Sequence, residues 1–378
     1  MKRYLLPLLL CAQWAHADVY MLDSDAVKAA PHARTAAHSV QQEIGKTPKR
    51  HGLPIGSYSI AATGSQGLID AAGLKYFINT NITFSTTSSA SGAMSEASYT
   101  HAVAASTLNG GTTMSTLNDA FDGYNTICIS LNGTFGPCQT GNASFTIYNK
   151  NGPATSECNA RQVVFSPQTI GGLSVQRKVF IPTDDTFGRW LNIVTNTSGA
   201  PITFNLITAN NLGSDNNTVI VNDSSGNATP TINDTWVTTF QNFSGTTSSD
   251  PRLGHVLQGS GAATPVSGLS FANGNDNPWW AYTLTLAPGQ TKIIMNFVTA
   301  QPSKAAAAAK AAALANLTSI GAKECMTAAE KQQVANFRAV PRVEVVPAPG
   351  PSMDRMGLLA LLGLLCAGVG LVRMRVRQ

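Results

Sequence analysis

Apolar and polar positions alternate in short runs through the middle of the chain, and Asn, Gly, Ser and Pro interrupt the runs at close spacing. This is the pattern of half-buried strands joined by turns. Leu173, Val175, Val179 and Ile181 recur at every second position, interrupted only by Arg177, and Ile127, Ile129, Leu131 and Ile202, Phe204, Leu206 repeat the pattern over shorter spans. Another run sets Trp280, Tyr282, Leu284 and Leu286 on one side, then Ala287, Pro288, Gly289 and Gln290, then Ile293, Met295 and Phe297. Pro followed by Gly suits the two central positions of a type II turn, so this segment predicts a β-hairpin. The fold class that follows for residues 57–300 is mainly β: an antiparallel β-sandwich of one large or two adjoining lobes.

The period changes after residue 300. Ser303 suits the N-cap of an Ala-rich helix over 304–317, and Thr327 with Glu330 forms a capping box that opens a second helix to about Phe337. An Ala-rich helix propagates readily but offers little apolar area, so residues 301–340 are expected to pack on the sheet as a helical coda. Residues 18–56, rich in Ala, Lys and His without a sustained apolar period, read as a mobile leader.

The longest apolar runs stand at the ends. Lys2 and Arg3 precede an apolar stretch, and Ala15 and Ala17 place small residues before Asp18. That is the plan of a secretory signal peptide over 1–17, cut after Ala17 by signal peptidase once the export machinery has engaged it. Leu10 is too large for the position before Cys11 in a lipoprotein signal. Residues 356–372 carry no charge and as a helix would extend ~26 Å, close to the thickness of a bilayer core. Arg373, Arg375 and Arg377 follow as a basic tail over 373–378, and the positive-inside rule then leaves the body outside the cytoplasm. Residues 341–355 form a spacer in which Val346, Pro347, Ala348, Pro349, Gly350 and Pro351 hold the chain extended.

This order of Pro-containing motif, short apolar helix and terminal arginine cluster resembles the PEP-CTERM and IPTL-CTERM sorting tails of Gram-negative bacteria. Ala348 stands where the first pattern has Glu, and Pro347, Ala348 and Pro349 where the second has Pro, Thr and Leu. The resemblance, over the last 33 residues, implies a body held at the inner membrane, facing the periplasm. An exosortase-type transpeptidase would then cut near the motif and pass the body to the cell surface or matrix.

Charge narrows the partners. Five of the 25 Lys+Arg residues are Lys2, Arg3, Arg373, Arg375 and Arg377, which leaves 20 against 20 Asp+Glu in the body. No Lys or Arg occurs between Lys75 and Lys150, or between Arg189 and Arg252. A basic groove cannot be assembled there, which excludes nucleic acid as a partner. Charged residues make up 12% of the chain, about half the usual share, which argues against an ordinary cytoplasmic enzyme.

Cys128, Cys138, Cys158 and Cys325 lie in the exported body, and four cysteines allow three pairings. Cys128 and Cys138 flank the turn-prone Asn132 and Gly133, which favours a local bridge and leaves Cys158 with Cys325. The chain contains no HExxH, no Walker lysine loop, no GxSxG elbow and no EF-hand loop. The adjacent Asp184 and Asp185 could act as an acid/base pair in glycoside hydrolysis, but a solvated turn tied to Arg189 is the expected arrangement. His101 and His255 are expected to be structural, since no nucleophile stands beside them. No cofactor is expected. Calcium is the one ion the loops could take, through Asp119, Asp122, Asp215 and Asp276. Trp279 and Trp280, preceded by Asn- and Asp-rich sequence, are candidates for a glycan platform, to which a strand would offer the one it points outward; Trp190, Trp236 and Tyr282 are further aromatics in strand candidates. The expected function is that of a cell-envelope protein with a structural, adhesive or matrix role and no active site. A carbohydrate-binding module and a secreted polysaccharide-active hydrolase are the alternatives.

Overall fold

The computed structural model describes residues 58–59, 65–80, 90–104, 116–138, 141–149, 154–241 and 251–338. The expected signal peptide at Ala15, Ala17 and Asp18, the leader, the motif at Val346, Pro347, Ala348 and Pro349, the apolar run 356–372 and the basic end at Arg373, Arg375 and Arg377 lie outside these residues. Among the described residues no helix is long and apolar enough to cross a membrane.

The chain first forms β1 (Tyr58–Ser59), β2 (Ser65–Ile69), β3 (Leu74–Asn79), β4 (Met94–Ala104) and β5 (Thr116–Ala120). β6 (Gly123–Ser130), β7 (Thr146–Ile147), β8 (Thr155–Glu157), β9 (Gln162–Val164) and β10 (Gln168–Ile170) follow. Then come β11 (Leu173–Phe180), β12 (Gly188–Asn196), β13 (Ile202–Asn211), β14 (Thr218–Asp223) and β15 (Trp236–Gln241). β16 (Arg252–Val256), β17 (Gly268–Ala272), β18 (Asn275–Leu286) and β19 (Thr291–Gln301) complete the strands, and α1 (Lys304–Ala315) and α2 (Ala328–Gln333) close the body.

All these strands pair antiparallel, in two sheets. The first runs β1-β8-β9-β11-β12-β19-β16-β15-β14, with β10 on β11; the second runs β17-β18-β13-β6-β4-β3-β2, with β5 on β4 and β7 on β6. The expected hairpin around Pro288 and Gly289 is corrected by this order. The turn forms, with Gly289 at φ 74° and Gln290 N–H donating to Ala287 O at 3.0 Å. Its two strands part, however: β18 pairs with β13 and β17, while β19 pairs with β12 and β16. They meet through side chains, Leu284 and Leu286 joining the same core as Ile294 and Val298. Alternation specifies which face a strand buries, but not which backbone it bonds.

That core lies between the sheets. Val175, Val179, Trp190 and Val194 of the first face Ile127, Ile129, Phe204 and Leu206 of the second. Arg177 occupies an inward position among them, fully buried. Its guanidinium donates to Asn192 Oδ1 at 3.0 Å on its own sheet, and across the gap to Ser91 O at 3.1 Å and to Asn125 O and Oδ1 at 2.6 Å each. Burial lowers its pKa to about 9, so it stays charged at neutral pH and cross-links both sheets with neutral oxygens alone.

The other face of the first sheet is covered by the coda. Ser303 Oγ accepts from Ala306 N–H at 3.1 Å and starts α1; Thr327 and Glu330 cap α2 reciprocally at 3.1 and 2.7 Å. Both helices are shorter than expected. α1 yields to Asn316 and a left-handed Leu317, and after α2 the chain extends so that Val334 bridges Ile293 of β19 in parallel. Asn336 then binds both backbone groups of Met295, at 2.8 and 2.7 Å. Ala311, Leu314, Ala322, Met326 and Phe337 pack on Phe180, Leu191, Met295 and Phe297. Arg189 fastens the coda further, donating to Ala322 O at 3.0 Å and Glu324 O at 2.6 Å.

Both disulfides are formed, Cys128 with Cys138 and Cys158 with Cys325, at Cα separations of 5.7 and 5.9 Å. Disulfides of this kind belong to an oxidising environment outside the cytosol. Beside the second, Lys178 pairs with Glu157 and Glu330, each at 2.9 Å. Closing a loop of 167 residues contributes about 5 kcal/mol on the chain-entropy estimate, against about 2.8 for the short one. Replacing both Cys158 and Cys325 by Ser is therefore expected to lower unfolding free energy by several kcal/mol in urea titration. It should also open the coda to proteolysis well before the sheets, whereas replacing Cys128 and Cys138 should cost less and leave the coda protected.

Candidate functional site

Among the described residues, with the coda on the first sheet, the second sheet's outer face is the remaining broad surface. β18 opens with two adjacent tryptophans, which alternation sends to opposite sides. Trp280 turns inward and is fully buried, stacked on Phe271 at 5.9 Å between centroids and tilted against Tyr124 at 6.2 Å. It cannot stack on a sugar, so of the two candidates only Trp279 is placed to do so. Trp279 turns outward and is half-buried against Cys128, Cys138 and Phe145. Of the other aromatics singled out, Trp190 and Tyr282 belong to the inter-sheet core, and Trp236 packs against the coda cluster.

The loop closed by Cys128 and Cys138 folds back over the same face. Asn132 Oδ1 accepts from Ser130 Oγ at 2.7 Å and Thr134 N–H at 3.2 Å, and Asn205 Nδ2 donates to Thr134 O at 3.2 Å. Phe135 is thereby set on Gly268 of β17, where an added Cβ would meet its Cδ1 at 3.1 Å. Gly268 lies opposite Ala281 and Ser270 opposite Trp279, so Phe135 and Trp279 mark two positions about 7 Å apart on one face. Phe135 is 43% exposed. Further along the strands, Thr283 Oγ1 donates to Asn205 Oδ1 at 2.8 Å and lies 3.0 Å from Ser267 Oγ, while Thr203 Oγ1 and Thr285 Oγ1 are 2.9 Å apart. Segments 123–148, 202–211 and 268–286 supply these strands and the covering loop, and the one charged residue in them is Asp276. Phe135 was not singled out in the sequence. Its signal was its place inside the Cys128–Cys138 loop, two residues beyond a turn at Asn132 and Gly133.

The ionisable residues are engaged elsewhere. Asp185 forms an ion pair with Lys310 of α1 and accepts from Ser319 Oγ at 2.6 Å, so it fastens the coda rather than Arg189, and Asp184 beside it is exposed. His255 is fully buried, its Nδ1 3.0 Å from Tyr124 Oη and its Nε2 2.9 Å from Thr239 Oγ1; burial pushes its pKa down to about 3. His101 lies on β4, with its side chain outside the described residues.

Two of the acidic loop residues, Asp122 and Asp276, lie near Leu212 and Gly213. Leu212 N–H donates to Asp276 O at 2.8 Å, and Asp122 lies beside Gly213. Asp276 is buried, with the Asn277 amide donating to its Oδ1. The side chains of Asp119 and Asp215 are outside the described residues. Among the described residues no group of three His, Cys, Asp or Glu side chains is placed to hold a metal.

One carboxyl is unusual. Asp70 is buried at the β2–β3 turn, where its Oδ1 accepts from Ala72 and Leu74 N–H at 2.9 and 3.0 Å and its Oδ2 from Tyr76 Oη at 3.1 Å. Burial outweighs these bonds and raises its pKa to about 6.

No protein family matches the chain, and no curated protein does. Among solved structures, a polysaccharide lyase is 12% identical over 63% of this chain and 34% of its own, with a TM-score of 0.33. A galactose mutarotase-like protein from Lactobacillus casei is 12% identical over 62% of this chain and 99% of its own, at 0.32. A heparan sulfate lyase from Pedobacter heparinus is 13% identical over 71% of this chain and 40% of its own, at 0.28. The chain thus spans well under half the length of either lyase, and likeness of this degree fixes neither fold nor activity.

Asp70 and His255 make opposite contributions to stability between pH 4 and 6. Asp70 holds its proton more tightly when folded, at about 6 against an ordinary 3.8. Its contribution is complete below 3.8 and is lost as pH rises through 6. His255 resists protonation when folded, at about 3 against 6.5, so its contribution is complete above 6.5 and is lost as pH falls. Relative to wild type, Asp70→Asn should gain about 1.4 kcal/mol per pH unit from pH 4 to 6, and His255→Asn should lose a similar amount per pH unit. Urea midpoints measured across that range check both signs.

Proposed function

We propose that the protein is an exported cell-envelope protein whose β body contacts carbohydrate through the outer face of its second sheet. The observation that carries this reading is the pair Phe135 and Trp279, held partly exposed on one face beside a chain of Thr, Ser and Asn side chains. Sugar rings stack on aromatic faces, and their hydroxyls exchange hydrogen bonds with hydroxyl and amide groups. The disulfides support the exported setting. The sorting-tail resemblance of residues 346–378 supports attachment at the inner membrane, followed by transfer to the surface or matrix.

Affinity electrophoresis of the mature protein through gels containing soluble polysaccharides tests the binding reading. Retardation by at least one polymer is expected, reduced roughly tenfold in affinity by Trp279→Ala or Phe135→Ala, with circular dichroism unchanged. Equal mobility of both variants and wild type in every gel would remove the face from consideration. Intact mass from the native cell tests the processing reading: a product running from Asp18 to near Pro349 is expected, and one that retains Gln378 would show a permanent anchor instead.

A second reading is a polysaccharide-active enzyme. Asp70 favours it, a carboxyl with pKa raised to about 6 that could give up a proton near neutral pH. Loss of polymer cleavage in Asp70→Asn, with folding retained, is what that reading requires.

A further inference from the structure

We infer that the outer face of the second sheet takes an extended, uncharged polysaccharide, and discriminates against uronic and sulfated polymers. The inference rests on the carbohydrate reading and narrows it to a class of ligand.

Charge is the first ground. An acidic polysaccharide carries a carboxylate or sulfate on many of its residues, and each one brought against a protein surface sheds water and must be met by a cation or by several N–H donors. The sequence places no Lys or Arg between Lys75 and Lys150, between Arg189 and Arg252, or between Arg252 and Lys292. Those three intervals contain β6, β7, β13, β17 and β18 and the loop bearing Phe135. No cation can therefore come from those strands or that loop; Lys75 lies on β3, four strands away from β18 in the sheet order. The one charged residue in segments 123–148, 202–211 and 268–286 is Asp276, which is buried on the other side of β18 and adds no charge to the face.

Hydrogen-bonding chemistry is the second ground. Thr203, Asn205, Ser267, Thr283 and Thr285 bond to one another in pairs and chains. A hydroxyl that donates to one neighbour can still accept from another, which suits a sugar hydroxyl, itself both donor and acceptor. An anionic oxygen only accepts, and gains least from such a surface.

Length is the third ground. With Ala281 between them fully buried against Cys128, Cys138 and Phe145, Trp279, Thr283 and Thr285 reach the surface at alternate positions of β18, a strip of about 20 Å. Phe135 flanks its aromatic end and the threonines its polar end. A single sugar reaches only one end of that strip, so a linear chain that passes over the loop from Trp279 to the threonines uses what a monosaccharide leaves unused.

The test uses the mature protein in affinity gels containing hydroxyethyl cellulose, glucomannan or dextran, and in parallel alginate, polygalacturonate or chondroitin sulfate. Retardation by a neutral polymer and none by the acidic ones is expected. Free oligosaccharide of the retarding polymer should compete roughly tenfold better than its monosaccharide, and Thr283→Lys, which adds a cation at an exposed position, should create retardation by the acidic polymers. Retardation of wild type by an acidic polymer, abolished by Trp279→Ala, would overturn the charge discrimination and leave the carbohydrate reading standing. Equal competition by monosaccharide and oligosaccharide would overturn the extended mode. No retardation by any of the six would overturn the carbohydrate reading itself.

Discussion

The structure depends on two sheets burying one face of each against the other while polar groups occupy inward positions. A guanidinium taken out of water is costly unless every strong donor direction finds an oxygen. Arg177 meets that demand with Asn192 on its own sheet and with Ser91 and Asn125 on the other. The bonds therefore set the relative placement of the sheets. Trp190 adds a second crossing, its Nε1 donating to Gly92 O at 2.8 Å. Gly92, at φ 75°, has no side chain to keep Phe165 and the Arg177 stem away. Apolar contact holds the sheets together, and these directional bonds decide how they register.

The remaining faces have unequal fates. The first sheet's outer face receives the coda, held by the Phe297–Phe337 edge contact at 5.7 Å, the Arg189 bonds, the Asp185–Lys310 pair and the Cys158–Cys325 disulfide. The second sheet's outer face is covered only in part, by a loop closed through Cys128 and Cys138. That inequality directs attention to Trp279 and Phe135. Apart from Lys75 of β3 and Glu96 of β4, the charged side chains are spent on the covered side and at the turns, which leaves the surroundings of Trp279 and Phe135 to stacking and hydroxyl chemistry.

The buried ionisable groups serve the fold in the same way. His255 is neutral between Tyr124 and Thr239, and Asp70 anchors a turn by accepting three hydrogen bonds. The structural role of His255 was readable in the sequence, but the burial of these two groups was not, because desolvation depends on what folds over a residue and not on its neighbours along the chain.

Strand alternation along residues 173–181, 202–206 and 280–286, the Ser303 and Thr327 caps, and the pairing of four cysteines were all readable in the sequence, because each follows from local geometry or from short-range turn chemistry. Partner choice was not. Whether β18 bonds β19 or β13 depends on which backbone edge lies 4.8 Å away, a matter settled by the whole sheet order. For the same reason alternation could say that Trp279 and Trp280 part company, while only the packing of both sheets decided which of them reaches solvent. Phe135 joined the exposed one because a distant glycine, Gly268, left room for its ring.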